Sequence, residues 1–380
     1  MNIAIIYYRL FDFDGNDQLI GGIETYILNL AELCHEQGWK TLLFQSANCN
    51  FENMIGDLKV IGLPIAHLPI PKQKNQLFKA ACDAINLKND LLIFGADHCS
   101  VRTESNRCIS IQHGISWDLP SKYFTKKKIL ASGIGAVLKK IRIIRYAIRD
   151  FNLCKQRVCV DYNFLNWYRT MMVNKIDGKV WVIPNFSSFT VPIGRISRIH
   201  NGSPIKILYA RRFTDYRGVK LFADVASELL ERYQHIGITF AGEGPEENWL
   251  KQKFNNNNRV IITKYYPHES LNVHLEHHIA VVPSIASEGT SLSVAEAMGA
   301  GCAIVATAIG GITNMIIDGY NGLLVMPEAE SLLVGIESLI NSQDRRDQLG
   351  RRAYETVEAS FNLKVWKQRW LKVIKEVENT

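Results

Sequence analysis

The 380-residue sequence lacks an apolar run long enough to form a membrane-spanning helix. Crossing a bilayer requires about 18 to 20 consecutive apolar residues. The nearest candidate, 292–310, contains Glu296 and is interrupted by Gly299 and Gly301. The N-terminus also lacks the basic start of a secretory signal peptide and has the pattern of a strand. We therefore expect a soluble cytoplasmic protein, and its length favours two domains.

Paired cysteine motifs and a dinucleotide fingerprint are missing as well. The eight cysteines form no C-x-x-C pair and have no spacing typical of a zinc site. In a cytoplasmic chain such cysteines are usually reduced core residues, so we expect neither a disulfide framework nor structural zinc. No G-x-G-x-x-G motif is found, because the Gly-Glu-Gly at 242–244 is followed by Pro245 and two acids. An NAD-dependent enzyme is therefore not expected.

Positive charge is concentrated in one segment, 122–157, although the net charge of the chain is only +7. The segment contains eleven Lys and Arg against one acid, Asp150. The cations alternate with apolar residues at helical spacing, which is typical of a basic amphipathic helix on an anionic membrane surface. A core-packed helix with a solvated charged face is the alternative. No groove-reading motif accompanies the charge, so nucleic-acid binding is not expected.

Short apolar runs alternate with amphipathic segments, and the alternation restarts after residue 204. The runs predict strands at 2–8, 40–44, 91–94, 107–111, 157–160, 180–183, 205–210, 237–241, 259–263, 279–283 and 303–307. Strands that alternate with helices form parallel sheets covered on both faces. The sequence therefore predicts an α/β fold with two Rossmann-like, doubly wound domains, at 1–188 and 205–362. Residues 189–204, rich in Ser and Gly, are the predicted linker.

Candidate site residues lie at the strand-to-helix junctions, because ligands of doubly wound domains bind beyond the carboxyl ends of the strands. Gly21 and Gly22 open a predicted helix, where bare backbone N–H groups favour an anion. A flexible turn explains the diglycine equally well. His113 ends a predicted strand and precedes Gly114. A strand-end histidine with satisfied hydrogen bonds is the alternative to a role in binding.

Two glutamates stand eight residues apart, Glu288 before a predicted helix and Glu296 within it. Ser291 offers its N–H in the first turn of that helix. A buried Glu on a small, apolar helix needs a partner, and two carboxylates suit the vicinal diols of a sugar and a ribose. The alternative is a solvated loop Glu and a salt-bridged helix Glu.

The E-x7-E pattern is followed by an Ala-Met-Gly-x-Gly turn at 297–301 and by Gly310-Gly311. This arrangement resembles the retaining family-4 glycosyltransferases of GT-B fold, also called glycosyl transferases group 1. Arg212 and Arg217 resemble the Arg and the Lys of the family's G-R-L…K-G diphosphate site, and Arg211 stands where Gly is common. The other matches are Gly21-Gly22, His113-Gly114, Pro184-Asn185 and the turn at 241–245.

The resemblance implies two Rossmann-like domains that face each other across a cleft, with a last helix at 363–380 that crosses back to the N-terminal domain. It also implies transfer, with retention, of a hexose-type sugar from a UDP- or GDP-linked donor. The expected acceptor is a glycan, carried on a polyprenyl diphosphate, in cell-surface polysaccharide synthesis. Such an enzyme would be peripheral on the cytoplasmic face of the membrane. No cofactor is implied, and the absence of an Asp-x-Asp motif agrees with a reaction that needs no metal.

The resemblance further assigns roles to individual residues. Glu288 would hold donor-sugar hydroxyls, Glu296 the ribose diol, and His113 the sugar near its 6-position. The cations and backbone N–H groups that would stabilise the leaving diphosphate are those of Arg212, Arg217, Gly21, Gly22, Thr290, Ser291 and Leu292. Two alternatives stay open: a catalytically inactive partner that binds a sugar nucleotide, or another GT-B enzyme such as a nucleotide-sugar epimerase.

Overall fold

The computed structural model describes residues 1–19, 21–115, 117–119, 133–172, 177–191 and 204–379. Most of the predicted linker at 189–204 lies outside these residues. The first part of the basic segment 122–157, including its lysines at 126–128, also lies outside them.

The described chain divides into two compact units. Unit 1 contains 1–113, the described residues up to Ile183, and the chain from Lys367 onward. Unit 2 contains 184–366 and the few described residues that follow His113. The chain thus enters unit 2 at Pro184 and returns to unit 1 inside its last helix.

Unit 1 contains an eight-stranded sheet. Its strands are β1 (Asn2–Ile6), β2 (Lys40–Ser46), β3 (Phe51–Ile55), β4 (Leu58–Leu63), β5 (Leu91–Phe94), β6 (Cys108–Gln112), β7 (Gln156–Cys159) and β8 (Lys179–Val182). Their order across the sheet is β3-β4-β2-β1-β5-β6-β7-β8. Its helices are α1 (Gly22–Glu36), α2 (Ile70–Ala84), α3 (Gly133–Phe151) and α4 (Tyr162–Met171).

The hairpin of β3 and β4 at the sheet edge is not predicted by the sequence. It is antiparallel, with Ile55 opposite Leu58, whereas the other strand pairs of this sheet are parallel. Gly56, at φ 55°, supplies the left-handed conformation that the two-residue turn needs. Burial alternates along both strands, as expected for an edge with one solvated face. A search for continuous apolar runs misses this pattern.

Unit 2 contains a six-stranded, wholly parallel sheet of order β11-β10-β9-β12-β13-β14. Its strands are β9 (Ile205–Ala210), β10 (Ile236–Ala241), β11 (Val260–Thr263), β12 (Ile279–Val282), β13 (Ala303–Thr307) and β14 (Leu323–Val325). Its helices are α5 (Val219–Arg232), α6 (Glu247–Lys253), α7 (Ser270–Leu275), α8 (Leu292–Gly299), α9 (Ala329–Ile340) and α10 (Gln343–Ser360). The last helix, α11 (Leu363–Glu378), begins in unit 2 and ends in unit 1.

The order of strands places a crevice beside β9 in unit 2. Strand β9 lies between β10, the next strand along the chain, and β12. The chain therefore moves outward in opposite directions from β9, which is the topological switch point where ligands of open α/β sheets bind. The segments that leave the carboxyl ends of β9 and β12 begin at Arg211 and Pro283. They carry most of the candidate residues.

Two tryptophans one turn apart anchor α11. Trp370 is fully buried in unit 1, where its Nε1–H donates to the hydroxyl of Tyr26 at 2.8 Å. Trp366 is buried in unit 2 against Phe186, with 4.6 Å between the ring centroids. Among the described residues, no helix combines the length and the hydropathy required to span a bilayer.

We expect Trp370→Ala to lower the free energy of unfolding by about 3–5 kcal/mol, because it leaves a large cavity in unit 1 and removes the donor to Tyr26. Denaturant-induced unfolding, followed by circular dichroism, measures the change. Lys375→Ala, at an exposed position of the same helix, is the control and should change the free energy by less than about 0.5 kcal/mol. Equal effects of the two substitutions would contradict the anchoring role of Trp370.

Candidate functional site

The loop between β12 and α8 buries Glu288 among three hydrogen-bond donors. The Oε1 atom of Glu288 accepts from Nη2 of Arg211, from Nη1 of Arg217 and from the hydroxyl of Ser284, the last at 2.5 Å. Burial by itself would raise the pKa of Glu288, but the two guanidinium groups outweigh it and hold the pKa at about 2. Glu288 is therefore ionised throughout the physiological pH range.

The backbone around Glu288 is held in an uncommon conformation. Ser287 has φ 60°, and its N–H donates to the carboxylate of Asp118 at 3.0 Å. The carbonyl of Glu288 accepts from the N–H of Gly311 at 3.0 Å. Gly310 has φ 52°, and a Cβ at this position would collide with the Glu288 carbonyl oxygen. The Gly310-Gly311 pair thus lets a second turn approach the Glu288 backbone.

The three arginines after β9 have different surroundings. Arg211 is buried, with its Nη1 donating to the hydroxyl of Ser284, whereas Arg212 is exposed. Successive side chains at a strand end point in opposite directions, which separates these two neighbours. Arg217 is partly exposed, and its Nη1 also donates to the Ser287 carbonyl at 3.1 Å. The structure therefore brings Arg217 to Glu288 and leaves Arg212 at the surface.

The start of α8 holds the predicted anion-binding backbone. Ser291 caps the helix, and its side chain accepts from the N–H of Val294 at 3.4 Å. Leu292 is the first helical residue. The Oγ1 atom of Thr290 accepts from the backbone N–H of Asn185 at 2.8 Å. The N–H of Ser291 points at Sδ of Met315, 3.2 Å away, which is a weak acceptor that an anionic ligand could replace.

Glu296 lies in the middle of α8 and has no cation among its recorded partners in the described chain. Burial raises its pKa to about 7, although a hydrogen bond with the hydroxyl of Ser270 opposes the rise. Tyr265 is close enough to Glu296 and Arg211 for both charges to act on its phenol. The two glutamates of the E-x7-E pair thus have opposite electrostatic surroundings. The salt-bridged helix Glu that the sequence left open is not the arrangement found among the described residues.

The remaining candidates lie in unit 1. Gly21 caps α1 with extended backbone, and Gly22 is its first residue. The Nε2 atom of His113 is 2.7 Å from the carbonyl oxygen of Gly95, and its ring meets Tyr26 edge-on. Burial lowers the pKa of His113 to about 4. Since a carbonyl only accepts, Nε2 carries the proton of this neutral histidine and Nδ1 remains the acceptor.

Sequence analysis missed three contributors to the unit 2 site: Arg211, Ser284 and the Asp118 carboxylate that holds Ser287. Arg211 stands next to a recognised motif position, but the motif does not reveal which of two adjacent arginines points inward. Strand alternation beyond Ala210 was the available signal. Ser284 and Asp118 carry no signal, since short polar residues in loops are common.

Comparison with known proteins gives a consistent result. Residues 195–356 match the family model of glycosyl transferases group 1. The chain is 24% identical to a glycosyltransferase of Methanocaldococcus jannaschii, MJ1069, over 95% of this chain and 96% of that protein. It is 23% identical to the first component of human phosphatidylinositol N-acetylglucosaminyltransferase, over 84% of this chain and 66% of that protein.

Solved structures resemble the whole chain. Sucrose-phosphate synthase from Thermosynechococcus elongatus matches with a TM-score of 0.73 and 18% identity, over 99% of this chain and 98% of that one. Anabaena HepE, solved with UDP and glucose, matches with a TM-score of 0.69 and 14% identity, over 99% and 100% of the two chains. The predicted fold class, GT-B with two Rossmann-like domains, is confirmed.

The raised pKa of Glu296 predicts a pH-dependent stability. A carboxyl whose pKa is higher in the folded state stabilises the fold most when protonated, below about pH 4.5. The free energy of unfolding should then fall by about 3 kcal/mol as the pH rises to about 7. Glu296→Gln should remove this fall, as measured by urea unfolding between pH 4.5 and 8.

The exposed Glu330 of the same unit supplies the control, because Glu330→Gln should keep the wild-type pH dependence. Parallel curves for the wild type and Glu296→Gln would show that ionised Glu296 is not destabilising.

Proposed function

Residues 195–356 belong to the glycosyl transferases group 1 family, and on this premise we propose that the chain is a retaining glycosyltransferase. It moves a hexose-type sugar from a UDP- or GDP-linked donor to a glycan acceptor. The observation that carries the proposal is the cluster at the β9–β12 switch point, where Glu288 is held ionised beside Arg217. An inactive binding partner would not require this buried charged cluster.

The donor occupies the crevice of unit 2 in this proposal. Arg217, which is partly exposed, and the exposed Arg212 receive the negative charge of the leaving diphosphate. The N–H groups at the start of α8, from Thr290 to Leu292, share that charge through the helix dipole. Glu288 accepts from donor-sugar hydroxyls. Glu296 accepts from the ribose diol in its ionised form, which is substantially populated near neutral pH.

The unit 1 residues complete the proposed assignment. His113 is neutral, and its Nδ1 atom can accept a hydrogen bond from the donor sugar near its 6-position. Gly21 and Gly22 offer backbone N–H groups at the start of α1 to the diphosphate.

Retention follows from front-face attack. The bond between the anomeric carbon and the phosphate oxygen breaks while the acceptor oxygen bonds to the same face of that carbon. The departing phosphate oxygen takes the proton of the acceptor hydroxyl. Glu288 is unsuited to act as a covalent nucleophile, because its Oε1 atom is already bound by three donors. The arginines supply the positive charge, so the proposed reaction requires neither a metal ion nor a cofactor.

The acceptor side of the proposal rests on α3. This helix exposes Val137, Leu138 and Ile141 together with cations that include Lys140, Arg142 and Arg145. Exposed apolar side chains flanked by cations complement the surface of an anionic membrane. We assign α3 to such a surface on the cytoplasmic face, with a polyprenyl-diphosphate-linked glycan as the acceptor in cell-surface polysaccharide synthesis. A relative whose name includes phosphatidylinositol agrees with a lipid-borne acceptor.

The donor site is tested with a panel of UDP- and GDP-sugars, with and without EDTA. We expect one donor to be hydrolysed or transferred, and EDTA to leave the rate unchanged. Arg212→Ala should slow turnover about 100-fold, because one charge-stabilising donor is lost. Arg232→Ala, at an exposed arginine of α5, is the matched control with wild-type turnover. Full activity of Arg212→Ala, or strict metal dependence, would contradict the proposed mechanism.

The membrane assignment predicts that the protein sediments with vesicles of anionic phospholipid at low salt and is partly released at high salt. The triple variant Lys140→Gln, Arg142→Gln, Arg145→Gln should lose most of this binding, since each cation near the surface contributes roughly 1 kcal/mol. Turnover of a lipid-linked acceptor should fall in parallel, whereas hydrolysis of the donor by water should not change.

A matched triple variant in unit 2 replaces the exposed Lys251, Arg345 and Arg351 with Gln. It removes the same charge and should bind vesicles like the wild type. Equal losses in both triple variants would show a non-specific effect of net charge, and an absence of wild-type binding would refute the assignment.

A further inference from the structure

The hydrogen bonds to Glu288 are distributed unevenly between its two carboxylate oxygens. All three recorded donors, from Arg211, Arg217 and Ser284, meet Oε1. Within the described ranges, no donor is recorded at Oε2. A carboxylate oxygen can accept more than one hydrogen bond. Oε2 is therefore the oxygen of Glu288 that is left to accept from a bound ligand.

Arg211 differs from the other two arginines in that its guanidinium is buried and directed at Glu288. Its side chain is 5% exposed, against 26% for Arg217. One terminal nitrogen donates to Glu288 and the other to the hydroxyl of Ser284, which itself donates to Glu288. These three side chains close a ring of hydrogen bonds. The backbone N–H of Arg211 also donates to the carbonyl of Ala241 at 2.9 Å, which fixes its position beside β10.

The far side of the ring is attached to the sheet as well. The carbonyl of Ser284 accepts from the hydroxyl of Thr307, at the end of β13, at 2.6 Å. The ring is therefore attached to the carboxyl ends of strands β9 and β13. A carboxylate held by such elements keeps its orientation better than one on an unsupported loop.

We propose that Arg211 is a positioning residue, which with Ser284 holds Glu288 through Oε1 and presents Oε2 to a hydroxyl of the donor sugar. This inference rests on the proposed function. Arg211 acts through Glu288 and does not contact the diphosphate, a task left to Arg212 and Arg217. A glycine, which is common at this position in sequences that resemble this one, could not form the ring.

The proposal also sets the acid limit of the reaction. The charged and titratable groups around Glu288 are Arg211 and Arg217, which follow β9, and Tyr209 within β9. Burial raises the pKa of Tyr209, so it is neutral and does not compete for the charge. The two arginines alone hold Glu288 ionised. An opposite charge at this range lowers a carboxyl pKa by about 1–3 units, so losing Arg211 should extend protonation of Glu288 to higher pH.

Arg211→Gln tests the inference, since Gln retains hydrogen-bond donors but removes the charge. We expect kcat to fall at least tenfold at neutral pH, with unchanged affinity for UDP and GDP measured by calorimetry. The acid limb of the kcat–pH profile should move upward by about one unit or more. In a Glu288→Gln background, adding Arg211→Gln should cause little further loss, because the two residues act as one unit. Arg211→Lys should recover part of the activity.

The control is Arg346→Gln, which changes another buried arginine of unit 2 that donates to the carbonyls of Leu339 and Ile340. It should lower stability without moving the pH profile. An unshifted acid limb in Arg211→Gln, or losses that add fully to those of Glu288→Gln, would overturn the inference. Loss of UDP and GDP affinity would also overturn it, by showing that Arg211 binds the diphosphate directly.

A carbon-13 titration of the Glu288 carboxyl separates this inference from the proposed function. If the wild type is inactive on every donor, the proposed function fails, but the titration still decides whether Arg211 controls Glu288. The midpoint should lie near 2 in the wild type and be higher in Arg211→Gln and Arg211→Lys. Equal midpoints in folded wild type and in whichever variant folds would refute the positioning role.

Discussion

The ionised carboxylate of Glu288 is the constraint on which the unit 2 site depends. A buried charge is costly unless it is paired and hydrogen-bonded, so Arg211, Arg217 and Ser284 must all reach one oxygen atom. Their segments follow two different strands, β9 and β12. The requirement to neutralise one charge therefore fixes the relative positions of the loops at the switch point. The left-handed conformation of Ser287 persists because these contacts over-determine the backbone.

The two glutamates illustrate how the same side chain acquires different chemistry within nine residues. Glu288 is surrounded by cations and is ionised at every physiological pH, whereas Glu296 is buried beside neutral hydroxyls and titrates near neutrality. A fixed negative charge suits the part of a ligand that changes during a reaction, since its strength does not vary. A carboxyl that titrates near pH 7 gains its charge more readily when a ligand supplies hydrogen bonds. The two environments thus divide reaction from recognition.

The alternation of buried runs predicts eleven strands, and the structure has all of them. Parallel strands covered on both faces leave a strong signal in one sequence. The edge strands β3, β4 and β14 are short or half-exposed and leave a weaker one. At the site, motif spacing singled out Glu288 and Arg217, which the structure joins. It could not identify the inward role of Arg211, because that depends on the strand pleat and on a serine contributed by another loop. Their catalytic roles remain proposals.

The path of the chain through its two units has a consequence for biogenesis. Unit 1 begins at the first residue, yet part of its core is Trp370, near the end of the sequence. During translation this unit cannot close around Tyr26 until the ribosome has released the whole chain. Most of unit 2 is continuous from Pro184 to Trp366 and can acquire its parallel sheet earlier. Domains that fold from the N-terminus onward are the usual order of synthesis, and this topology reverses it.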